Sequence, residues 1–97
     1  MIVTYSSEGE AVADDRAWQY AMDRRGAHNI HVSTSNVVHC IRVMIHEGLL
    51  THDTVEFKFK DQTLYPNIDG VLNYWPKGFC DHELGYCVRL LRRRVGT

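Results

Sequence analysis

The stretch from Ser33 to Gly48 constrains this chain most. Val37, Val38, Ile41, Met44 and Ile45 recur at three- and four-residue spacing, so one face of a single helix carries them all. Ser33, Thr34 and Ser35 stand before it as competent N-caps, and Gly48 ends it. A helix with so wide an apolar stripe has to lie on a second layer. Strand material flanks it on both sides. Residues 29–33 form a short β-favouring run just upstream. Residues 54–60 alternate downstream, with Val55, Phe57 and Phe59 facing one way and Glu56, Lys58 and Lys60 the other.

The remaining segments extend this order. Residues 2–5 read as a strand closed by a turn at Ser6, Ser7 and Gly9. Residues 10–25 read as a helix that turns Ala11, Trp18 and Met22 inward beside Ala17 and Ala21. Arg24 and Arg25 suit its C-terminal end, and Gly26 stands where a left-handed cap is expected. Past residue 60, Asp61-Gln62 makes a tight reversal into residues 63–65, and Pro66 closes that strand. Asn67-Ile68-Asp69-Gly70 is a second turn, followed by Val71-Leu72. Trp75-Pro76-Lys77-Gly78-Phe79 is a rigid aromatic connector. Residues 81–94 then read as a last helix with Leu84, Cys87, Val88 and Leu91 inward. Strand, helix, strand, helix with short connections predicts a parallel unit. The expected fold is therefore α/β. It is a small, mainly parallel sheet with flanking helices, a β-hairpin extension and a C-terminal helix, forming one domain over residues 1–97.

Composition narrows the function classes. With 97 residues, 44% hydrophobic and 24% charged, the chain has the make-up of an ordinary globular domain and lacks the length of a multi-part enzyme. Lys plus Arg (11) nearly balance Asp plus Glu (12), so overall charge favours neither nucleic acid nor an anionic membrane as partner. The balance is uneven along the chain: residues 51–97 carry 7 basic groups, of which three are Arg92, Arg93 and Arg94. No apolar run approaches the roughly 18 residues of a membrane span. The opening stretch has no basic flank and apolar core of a signal peptide. Cys40, Cys80 and Cys87 form an odd, sparse set that suits reduced thiols, so a cytoplasmic location is expected.

Few residues are arranged for chemistry. Neither glycine-rich phosphate-binding pattern occurs, so no nucleotide cofactor is expected. Cys80, His82 and Cys87 gather three soft ligands, with His39, Cys40 or His46 available as a fourth. Their spacing matches no standard zinc pattern, and no metal is expected, Cys87 serving the apolar helix face instead. His39 and His46 lie seven apart and share one helix face, while His28 and His31 bracket a strand start. None has a nucleophile positioned beside it in the sequence. Helix capping accounts for Ser33, Thr34 and Ser35. Two groups of residues remain as interaction candidates. Arg89, Arg92, Arg93 and Arg94 suit a helix C-terminus, or a phosphate or acidic partner. Tyr74, Trp75 and Phe79 either pin the connector against the sheet or anchor an interface.

Two stretches resemble one family. Residues 32–50, Val-Ser-Thr-Ser-Asn-Val-Val-His-Cys-Ile-Arg-Val-Met-Ile-His-Glu-Gly-Leu-Leu, resemble the switch strand and following helix of ABC-type ATPases. These are relatives of the overcoming-lysogenization-defect and RecF-like proteins. In that family a Thr-His-Ser-Glu turn leads into a helix with an Ile-Arg core and a Glu-Gly-Lys-Leu end. Residues 69–81 are similar to the family's terminal Asp-x-Gly-x-Leu-x-x-Trp-Pro-x-Gly-Phe-Phe-Asp signature. The resemblance implies that residues 2–8 take the place of the Walker B strand, and that the chain corresponds to the C-terminal part of an ATPase head. It also shows what is substituted. Ser6 and Ser7 stand where Mg²⁺-holding acids belong, and Ser33 or Thr34 replaces the switch histidine. Phosphoryl transfer depends on such positioning and charge, so no hydrolysis is expected from these residues. The expected function is a non-catalytic interaction module: a regulator, decoy or subunit of a partner ATPase, or a homo-oligomer. Family associations imply a phage or mobile-element defence setting. The alternative is a small nucleic-acid-binding protein that uses the C-terminal arginines.

Overall fold

A computed structural model describes residues 1–79 of the chain. Within them the elements run β1 (Ile2–Glu10), α1 (Asp14–Asp23), β2 (Asn29–Val32), α2 (Ser35–His46), a 3-10 turn (His52–Thr54), β3 (Glu56–Phe59) and β4 (Gln62–Leu64). The architecture is α/β, as expected. The sheet order is β2-β1-β3-β4, with β1 parallel to both β2 and β3 and a β3–β4 antiparallel hairpin at one side. The expected C-terminal helix lies outside the described residues.

Register explains how the sheet is covered. Val3 stands opposite Ile30 and Phe57, and Phe57 opposite Leu64; all four are buried. One residue along, Thr4 stands opposite His31 and Lys58, whose side chains are exposed. The period of two thus sends apolar side chains to one face and polar ones to the other. Among the described residues, only the apolar face is packed, although parallel strands are usually covered on both.

α2 fills the packed side. Ten of its twelve residues are buried, including Ser35, Asn36 and His39, well beyond the expected stripe. The sheet supplies one neighbour, and α1 packs along it as a second. Buried Asn36 joins the two helix starts. Its Nδ2 donates to the Val12 carbonyl (2.7 Å) and to Asp14 Oδ1 (2.8 Å), while its Oδ1 accepts from the Val37 N–H (2.7 Å). Thr34 occupies the N-cap position but makes no side-chain bond to the helix. Its hydroxyl instead accepts from the Val12 N–H (3.2 Å), so it ties down the β1–α1 connection. Gly48 ends α2 as expected, its N–H donating to the Ile45 carbonyl (3.0 Å).

Three boundaries in the first third of the chain differ from expectation. β1 continues through Ser6, Ser7 and Gly9, where a turn is predicted, and its register against β2 shifts between Tyr5 and Glu10. Gly9 allows this because a Cβ there would collide with the Val32 backbone. The Ser33 N–H then bonds the Glu10 carbonyl (2.8 Å). α1 accordingly starts at Asp14 rather than at residue 10, with Asp14 and Asp15 in the first turn where its dipole favours acids. Its end is not a glycine cap. The helix stops at Asp23, Gly26 is not left-handed, and successive turns close through Arg24 N–H to Ala21 O and Ala27 N–H to Arg24 O.

Candidate interaction surface

The third neighbour of α2 is the returning segment from Leu64 to Phe79, held by polar side chains of the helix. His39, Arg42 and His46 are spaced by three and four residues, so they form one line along it. Arg42 Nε donates to the Gly70 carbonyl (2.8 Å), and His46 Nδ1 donates to the Asp69 carbonyl (3.2 Å). Both acceptors belong to the predicted Asn67–Gly70 turn. Within it, Asn67 Oδ1 accepts from the Asp69 N–H (2.9 Å) and the Val71 N–H (3.1 Å). Gly70 has a φ of 78°, and a Cβ on it would strike the Arg42 carbonyl oxygen, so glycine is required twice over.

This clamp sets the strands either side of the turn. Pro66 and Leu72 pair in an antiparallel bridge and are buried. The Asn73 N–H donates to the Tyr65 carbonyl (3.0 Å), and Asn73 Oδ1 accepts from the Tyr65 N–H (2.8 Å). With Pro66 and Leu72 inward, alternation turns Tyr65 and Val71 outward. Tyr65 is 54%, Ile68 69%, Val71 52% and Tyr74 55% exposed. A hydrogen-bonded hairpin fixed to the central helix thus carries four large apolar side chains in water.

Below it the connector enters the core. Phe79 is fully buried and meets Tyr5 edge-on (5.4 Å between ring centroids), Phe59 (5.2 Å) and Trp75 (5.2 Å). Trp75 continues the series to His39, whose ring lies parallel to it at 6.1 Å, and Arg42 lies over the same indole at 5.0 Å. Of the aromatic interaction candidates, Phe79 is therefore a core residue, Trp75 is half-buried, and Tyr74 alone is well exposed. Tyr65, Ile68 and Val71 complete the surface. Their signal in the sequence was the Asn-x-Asp-Gly turn with apolar residues at positions a ladder sends outward. Arg89, Arg92, Arg93 and Arg94 lie outside the described residues.

His39 is the electrostatic centre of this side. It is fully buried; its Nδ1 accepts from Arg42 Nη1 (3.1 Å), and its Nε2 has no partner among the described residues. Burial, reinforced by the Arg42 guanidinium, pushes its pKa down to about 4, so the ring is neutral at pH 7. Among the described residues no three His, Cys, Asp or Glu side chains are grouped to hold a metal ion. Cys80, His82 and Cys87 lie outside those residues.

The carboxyl ends of β1 and β2, where α/β sheets commonly place their sites, carry a different set. Ser6 Oγ is hydrogen-bonded with His31 Nε2 and also accepts from the Glu8 N–H (3.3 Å). Nearby, a cavity of about 420 Å³ is lined by Glu10, Arg16, Tyr20, Asp23 and Arg24. Its acids already have donors: the Tyr20 hydroxyl bonds Glu10 (3.2 Å) and Gln19 bonds Asp23 (2.7 Å). The Arg24 guanidinium carbon lies over the Tyr20 ring, 3.6 Å from its centroid. Burial raises the Tyr20 pKa above its ordinary value; Arg24 works against that shift and Glu10 with it. Ser6 and Ser7, the positions that the resemblance assigns to Mg²⁺-binding acids, carry hydroxyls, and that of Ser6 is paired with His31.

Fold and surface together define a small α/β protein with a clamped apolar hairpin. No family model, curated protein or solved structure matches the chain. No helix among the described residues is long and apolar enough to cross a membrane.

Proposed function

We propose that this chain is a non-catalytic protein-interaction module resembling the C-terminal end of an ABC-type ATPase head. It acts as regulator, decoy or subunit of a partner ATPase in the cytoplasm, or on copies of itself. The observation that carries this reading is the hairpin from Tyr65 to Tyr74. Its backbone is fixed by hydrogen bonds to α2 while Tyr65, Ile68, Val71 and Tyr74 stay in water, and large apolar side chains held exposed on a fixed backbone support a contact role. Preorganisation lowers the ordering cost of binding. The resemblance supports the ATPase connection: the Trp75-Pro76-Lys77-Gly78-Phe79 stretch that carries it packs through Trp75 on His39 of α2 and through Phe79 on Tyr5 of the sheet.

The test takes an ATPase with an intact phosphate-binding loop encoded beside this chain. Its turnover is measured at saturating ATP with increasing amounts of the chain. A saturable change in turnover that weakens about tenfold, a loss of ~1.4 kcal/mol in binding, when Ile68 and Val71 become Asp is the expected result. Unchanged turnover, together with no self-association, overturns the reading.

A further inference from the structure

We infer that the cavity beside α1 binds a short zwitterionic peptide, two or three residues long with both ends free. It shares no residue with the 65–74 hairpin, so it stands whether or not that surface has a partner.

Four charged groups face this one space without pairing. The cavity, about 420 Å³, is walled by residues 10–13 on one side and by Arg16, Gln19, Tyr20, Asp23 and Arg24 on the other. These five recur at three- and four-residue spacing, so they make one stripe along α1 and its C-cap. Two guanidiniums and the Glu10 and Asp23 carboxylates therefore line it, yet none forms an ion pair with another. Neutral groups hold them instead. The Tyr20 hydroxyl bonds Glu10 (3.2 Å) and Gln19 bonds Asp23 (2.7 Å). Arg24 sits over the Tyr20 ring and donates to the Tyr20 carbonyl (3.3 Å). The Arg16 guanidinium has no partner among the described residues.

Chemistry and length then select the ligand. A free guanidinium takes a carboxylate through two parallel hydrogen bonds. A carboxylate engaged by one donor keeps lone pairs for an ammonium. A purely anionic ligand would meet Glu10 and Asp23, and a purely cationic one would meet the arginines. A quaternary ammonium prefers an aromatic face, and Arg24 already covers that of Tyr20. The ligand thus brings a carboxylate to Arg16 and a primary ammonium to Glu10 and Asp23. Tyr20, which holds Glu10, lies one turn past Arg16, and Asp23 nearly two, so the charges sit roughly 6–10 Å apart along the axis. An α-amino acid carries both charges on one carbon and is too short. Two or three extended residues span roughly 7–11 Å. Ala11, Val12 and Ala13 make the facing wall, which suits small side chains.

Isothermal titration calorimetry with alanyl-alanine and trialanine tests this. At least one should bind saturably with a midpoint below about 1 mM. N-acetylation removes the ammonium and C-terminal amidation the carboxylate, and each should weaken binding at least about tenfold. Free alanine and glycine betaine should bind no better than the capped peptides. Arg16→Gln, at an exposed helix position, should bring the free and amidated peptides to equal affinity, while Arg16→Lys keeps part of the preference. No saturation by either peptide at about 10 mM overturns the inference. So does capped peptide, alanine or betaine binding as tightly as the free peptide, a comparison made on the parent chain and independent of how the variants fold. A folded Arg16→Gln protein that still prefers the free carboxylate overturns it as well.

Discussion

His39 shows how a single residue is set by a segment far along the chain. Its ring is stacked on Trp75 and bonded to Arg42, and its pKa of about 4 in the fold compares with about 6.5 in an open chain. Between those values the unfolded chain binds more protons than the folded one, so stability falls as pH drops through that window. The full effect is roughly 3 kcal/mol. Urea unfolding at pH 7 and pH 4.5 should show most of that loss, and His39→Gln, which can still accept from Arg42, should remove it. A His39→Gln protein with the same pH dependence as the parent would contradict this assignment. Helical spacing was enough to place His39 and His46 on one face. It was silent on what covers that face, because the cover is built from residues 66–79. Gly70 divides in the same way: the turn was readable in Asn-Ile-Asp-Gly, but its closeness to the Arg42 carbonyl was not.

Among the elements, those with strong periodicity were read well. Of residues 54–60, Glu56–Phe59 form β3, with Val55, Phe57 and Phe59 buried as the alternation predicts, and the apolar run after Thr34 forms α2. β1 was read short because Ser6, Ser7 and Gly9 are turn-forming residues. Extended structure wins there through the contact between Gly9 and the Val32 backbone, a tertiary effect that local propensity cannot register. The connector from Trp75 to Phe79 was open to two readings, pin or interface anchor, and its residues divide between them. Phe79 packs with Tyr5, Phe59 and Trp75, and Tyr74 faces water. Removing the Phe79 ring should therefore cost about 3–5 kcal/mol, as for other buried aromatics. Chemical denaturation of Phe79→Ala checks this. A change within about 0.5 kcal/mol, the usual range of surface substitutions, would place the ring outside the core.

For the molecule as a whole, the order β2-β1-β3-β4 sets the central strand first in sequence. Ile2 is matched with Asn29 on one side and with Glu56 on the other, so the middle of the sheet is incomplete until a strand more than fifty residues downstream has joined it. Such distant pairings must be bought with chain-closure entropy before any contact rewards them. Refolding after rapid dilution from denaturant should accordingly take milliseconds to seconds rather than the microseconds of helical bundles. During that interval the Ile2–Thr4 edge of β1 lacks its β3 partner and is open to the wrong neighbours. Dilute conditions should raise the yield of native protein, and a short wait at high concentration should lower it.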